Sequence, residues 1–182
     1  MTWKNTAARY GWVSVTLHWL MLVLLAAVYA CIELRGEFER GSPPRLLVVQ
    51  LHFMLGLSVF VLVWLRLLAR LLGPAPLIQP TPPAWQRALA QAMHGALYAL
   101  MIGMPVLGWL ILSGEGKPVP FWGLVLPALV TPDRDFAVWL QDWHIRLGEW
   151  GYWLIGLHAL AGLLHHYVLR DNTLLRMLPK RR

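Results

Sequence analysis

The sequence predicts an all-α fold: an integral membrane four-helix bundle made by a single membrane domain over residues 1–182. Three observations predict it. Hydrophobic residues make up 58% of the chain and charged residues only 14%, less charge than a soluble domain of this size carries. Four stretches with few or no charges are long enough to cross a bilayer, which takes about 20 residues of helix. Lys and Arg gather beside those stretches instead of forming one patch. The net charge of +7 could otherwise suggest nucleic acid, but this distribution points to membrane lipid and to no nucleic-acid partner.

The first span is expected over residues 10–32, between Arg9 and Glu33. It is long and lacks a small-residue cleavage pattern, so it reads as a retained span and not as a cleavable leader. The second is expected over 46–72, the third over 88–112 and the fourth over 142–169. A helix is the form that satisfies its own backbone polar groups in lipid. Between the second and third spans, GPAPLIQPTPP (73–83) must be extended or turned, because proline fixes φ and restricts the residue before it. Pro105 should kink the third span. Residues 113–141 form a longer connection. Its apolar piece FWGLVLPALV is too short to span and is broken by Pro127, so it is expected at the interface or packed on the bundle. The tail, RDNTLLRMLPKRR (170–182), reads as a short interfacial helix on the cytoplasmic lipid surface. Ten of the 16 Lys and Arg residues fall on the side of the two termini. The positive-inside rule therefore places both termini of this multi-pass chain in the cytoplasm.

The histidines carry the functional signal, since ionisable side chains inside spans are costly and rarely idle. Cys31 is the one cysteine, which excludes an internal disulfide framework, and no C-x-x-C-H is present for covalent haem attachment. Sorted by depth, His52 and His144 share an outer layer, while His18 and His158 can share an inner one. His144 and His158 are close to four helical turns apart, so they face one way and are separated by about 21 Å along the axis. One imidazole at each of two levels, met by a partner on a facing helix, suits two stacked b-type haems enclosed by the bundle. Gly56, Gly148 and Gly162 each follow such a histidine by four residues and leave room for a porphyrin edge, whereas Leu22 follows His18. Arg66 lies on the face of His52 near the inner layer, either against a haem propionate or reaching to lipid phosphates. For any single histidine the plain alternative is a hydrogen bond across helices. His94 lies at a depth similar to His18 and competes for the inner position; Tyr98 follows it by one turn, and a hydrogen-bonding role is expected. His165 shares the face of His158 and can bond a quinone carbonyl or pass a proton. Alternatively, His165 and His166 form an interfacial pair against headgroups.

The segments TLHWLMLVLLAAVYACIELRG, LHFMLGLSVFVLVWLRLLAR, WHIRLGEWGYWLIGLHALAGLLHHY and RDNTLLRMLPKRR resemble the bacterial cytochrome b-561 family in its short four-helix form. The resemblance covers essentially the whole chain. It implies two non-covalent haem b groups in a bacterial inner-membrane bundle, with axial ligands at the positions of His18, His52, His144 and His158. It also implies electron exchange with ubiquinone. The closest described activity is an oxidoreductase one: superoxide is oxidised at the periplasmic face and ubiquinone is the electron acceptor. His165 matches a position on the quinone side, and a protein partner is not required. On the outer side Arg35, Arg40, Lys117, Arg134 and Arg146 are candidates for attracting the superoxide anion, diluted by neighbouring acids. A second reading uses the same haems in a cytochrome b subunit that relays electrons from a hydrogenase or dehydrogenase to quinone. A third, a histidine-lined transporter or proton channel, has few carboxylates in the spans to work with.

Overall fold

The computed structural model describes residues 2–178. It contains four long helices: α1 Trp12–Leu34, α2 Pro43–Leu71, α3 Ala84–Gly114 and α4 Arg134–Tyr167. A two-stranded antiparallel hairpin, β1 Val119–Phe121 and β2 Leu124–Leu126, separates α3 from α4. Among the described residues α1, α2 and α3 are long and apolar enough to cross a membrane by length and composition. The longest helix, α4, falls short of that measure because Trp, Tyr, Gly and His take places that aliphatic side chains hold in the others.

α2, α3 and α4 begin before the expected spans, and α1 and α3 end after them, because backbone chemistry sets helix ends whereas hydropathy sets only the lipid-facing part. Pro43 opens α2, where its missing N–H costs nothing. α4 begins eight residues before the apolar stretch: the Asp133 carboxylate accepts the Phe136 N–H at 3.0 Å, a side-chain N-cap. α3 runs through Pro105 and ends in a Schellman arrangement. Lys117 N–H donates to the Leu112 carbonyl and Gly116 N–H to that of Ser113, with Gly116 at φ +67°.

Backbone clustering divides the chain into two compact units. The first contains the chain up to Leu20, Leu62–Ala99 and the chain from Trp150 on; the second contains Met21–Val61 and Leu100–Glu149.

In the second unit the hairpin packs against α2 and α3. Val119 is buried with Leu57 and Leu112, and Phe53, Trp109, Phe121 and Leu126 pack around them. Trp122 and Gly123, both at positive φ, make the two-residue turn. The Trp122 indole N–H donates to Ser58 Oγ at 2.9 Å, and that of Trp109 to the Pro127 carbonyl at 2.9 Å. Of the two places expected for FWGLVLPALV, the structure shows the packed one.

In the first unit residues 2–10 fold back over the start of α1. Asn5 is buried, and its side-chain oxygen accepts the Gly11 N–H at 3.0 Å and the Ser14 hydroxyl at 2.8 Å. A Cβ on Gly11 would lie 2.3 Å from the Trp3 carbonyl oxygen, a backbone atom that cannot step aside. Gly11→Ala is therefore expected to destabilise this end by about 1–3 kcal/mol. Thermal unfolding in detergent reads the change, and an unaltered midpoint would show that residues 2–10 do not pack there.

The tail differs from the expected interfacial helix. It forms one 3-10 turn, Leu175–Met177, and is tied down by side chains. Asn172 Oδ1 accepts the Gln79 N–H at 2.9 Å, Arg176 donates to the Pro76 carbonyl, and the Trp19 indole donates to the Met177 carbonyl at 2.8 Å. Asp171 Oδ1 accepts the Thr173 N–H at 2.8 Å, a local side-chain bond of the kind that competes with helix formation. Residues 179–182, which include the basic tail end Lys180, Arg181 and Arg182, lie outside the described residues.

Candidate functional site

In the first unit three helices bring histidines together. His18 of α1 and His158 of α4 have ring centres 6.2 Å apart with planes at 72°. His94 of α3 stands 5.4 Å from His158, and its Nδ1–H donates to the Ala90 carbonyl one turn back. Arg66 of α2 turns inward, with Nη2 2.9 Å from His18 Nδ1 and its guanidinium 5.9 Å from the Tyr98 ring centre. Arg70 approaches the same ring at 5.9 Å. His165, one helical stretch beyond His158, bonds Asp171, a residue that the sequence reading did not single out. His166 packs edge-on to Tyr167 at 4.8 Å.

In the second unit His52 of α2 faces His144 of α4, ring centres 6.1 Å apart and planes at 72°. His52 Nδ1 lies 3.0 Å from the Val28 carbonyl. A carbonyl can only accept, so Nδ1 carries the proton and Nε2 is left with its lone pair. His144 Nδ1 is buried without a hydrogen-bond partner. An orphaned buried nitrogen is costly unless something else engages that ring. Tyr29 O–H donates to the Gly148 carbonyl at 2.9 Å, which ties α1 to α4 beside this pair. Among the candidate superoxide attractors, Lys117 is paired with Glu115 at 2.9 Å and the Arg146 guanidinium sits over Trp143 at 5.9 Å.

Among the described residues no group of three or more His, Cys, Asp or Glu side chains can hold a metal ion by itself. Two facing imidazoles supply axial donors only, and a macrocycle would have to supply the rest.

A profile of the prokaryotic cytochrome b561 family matches residues 9–180. The chain belongs to the prokaryotic cytochrome b561 family. It is 39% identical to "Cytochrome b561 homolog 1" of Escherichia coli K12 over 96% of this chain and 99% of the relative. It is 40% identical to "Probable superoxide oxidase CybB" of Yersinia pestis over 96% of this chain and 98% of that one. Similarity extends to "Cytochrome b562" of Cereibacter sphaeroides, at 28% over 94% of this chain and 96% of the relative. Membership makes this chain a helical membrane cytochrome of a family that binds haem b.

The family's cofactor fits these residues. A metal-ligating imidazole nitrogen lies about 2 Å from the metal and about 1.1 Å from its own ring centre, so two axial imidazoles stand with centres about 6 Å apart. Both cross-helix pairs have that separation, and the His94–His158 pair is closer. A Cβ placed on Gly56 or Gly162 would meet no protein atom within 4 Å, whereas one on Gly148 would meet Met104 Cε at 3.6 Å. Were His18 to ligate iron, its contact with Arg66 would have to yield. A ligating histidine donates its other ring N–H, and a guanidinium cannot accept it.

Proposed function

We propose that this membrane cytochrome takes electrons from superoxide at the periplasmic face of a bacterial inner membrane and delivers them to ubiquinone at the cytoplasmic face. The observation that carries the reading is the pair of facing imidazoles in each unit, His18 with His158 and His52 with His144, at the separation axial ligation requires. The 40% identity to a protein named a probable superoxide oxidase supports the choice of substrate. Two superoxide anions become two molecules of O₂, and ubiquinone takes up two electrons and two protons to become ubiquinol.

Bound haem b supplies one-electron redox chemistry at iron, one group for each histidine pair. The protein does the rest. His52 is held in one ring orientation by its bond to Val28, leaving Nε2 as the donor atom. Arg66 is a half-buried cation of the first unit, as is Arg176, and its burial favours an anionic partner. A propionate would draw it from His18 and free that imidazole. Exposed Arg35, Arg40, Arg134 and Arg146 raise the local concentration of an anionic substrate, an effect that weakens as salt rises.

The test is ubiquinol formation by the isolated protein in detergent, fed by an enzymatic superoxide source. Superoxide-dependent ubiquinol is expected from the single chain. Ubiquinol that forms only when a dehydrogenase or hydrogenase partner is added would instead establish the relay-subunit reading.

A further inference from the structure

Among the described residues Asp171 is one of the most buried charged side chains. It lies just past the end of α4, where Arg170 at φ +54° turns the chain back. Its side chain is 5% exposed. Oδ2 accepts the His165 Nδ1–H at 2.5 Å, and Oδ1 accepts the Thr173 N–H at 2.8 Å. An asparagine oxygen could serve as acceptor without the cost of burying a carboxylate. Arg176 is the nearby cation and is attracted by Asp171, but its guanidinium donates to the Pro76 carbonyl and lies over the Tyr10 ring, and the close contact of the Asp171 carboxylate is with His165. The charge is therefore directed at the imidazole. An ionised carboxylate on Nδ1 fixes the ring orientation and leaves Nε2 to exchange a proton. Burial alone would raise the Asp171 pKa, but the bonds from His165 and Thr173 outweigh it and hold the carboxyl below its ordinary value, so it stays ionised. His165 is 20% exposed.

We propose that Asp171 is a positioning residue that holds His165 as the proton donor to ubiquinone, an assignment that rests on the function proposed above. For each ubiquinone reduced, two electrons come from two superoxide anions. His165 Nε2–H gives up a proton to the reduced quinone oxygen, is reprotonated from water on its own side, and does so twice. Asp171 keeps its charge throughout and receives no proton.

The experiment uses the full-length haem-loaded protein and Asp171→Asn, which keeps the size and both acceptor positions but removes the charge. Two half-reactions are followed: reduction of the cytochrome by superoxide without quinone, and quinol formation at varied ubiquinone-1. The first is expected at the wild-type rate. In the second, kcat falls about 10–100-fold with KM for quinone unchanged, and Asp171→Glu, which restores the charge, recovers part of the loss. Wild-type quinol formation by Asp171→Asn overturns the assignment. So does loss of the haem spectrum in Asp171→Asn, which would show that the carboxylate holds the fold. A wild-type protein that reduces no ubiquinone overturns the proposed function and this assignment together.

Discussion

Replacing His144 by alanine is expected to leave one haem per chain where two are proposed for the parent protein. The partner imidazole of His52 would keep its bond to Val28 but would face no second donor across the second unit. His158→Ala is expected to act in the same way in the first unit, and so is His18→Ala. His94→Ala should leave both haems. Its ring is closer to His158 than one intervening iron allows, so its contact is read as ring-to-ring packing. Haem content by pyridine haemochrome on the purified variants checks all four. Loss of a haem in His94→Ala together with full retention in His18→Ala would reassign the inner pair.

The second large effect is expected at Gly162, one turn beyond His158. Gly162→Leu puts a long side chain where a Cβ meets no protein atom within 4 Å. The helix itself gains, since leucine is a better helix former than glycine by about 0.8 kcal/mol. Any loss must therefore come from what the added side chain displaces. The expected result is a folded, helical protein that lacks the haem of the first unit, seen as retained far-ultraviolet circular dichroism with about half the haem absorbance. Full haem occupancy in Gly162→Leu would show that this glycine serves helix packing alone.

Much of the arrangement was legible from spacing. Helical periodicity and alternating chain direction are enough to group His52 with His144 and to bring His18 and His94 to the level of His158, because a helix through lipid converts residue number into depth. What hydropathy could not show was anything decided by backbone hydrogen bonding. The start of α4 depends on Asp133 as a cap, and no apolar window detects a cap. The β1–β2 hairpin turns on Trp122 and Gly123 inside an apolar run, with too little alternation for a strand signal. The tail reads as an interfacial helix with basic ends, but Asp171 bonds the Thr173 N–H and Asn172 is tied to the Pro-rich connection at Gln79, and only one 3-10 turn forms. Asp171 escaped notice because it follows an arginine in a basic segment, where an acid reads as charge balance. Only its placement under His165 shows otherwise. Asn5 escaped for a similar reason: a polar residue near a chain end normally faces water, and here the fold-back over Gly11 buries it.

The measurement that tests the central claim most directly is the visible absorption spectrum of the purified protein during exposure to superoxide. The account predicts that the reduced b-type bands rise on adding superoxide alone. They should fall again on adding a ubiquinone analogue, as ubiquinol appears. Bands that stay oxidised under superoxide, while a chemical reductant still raises them, would contradict it.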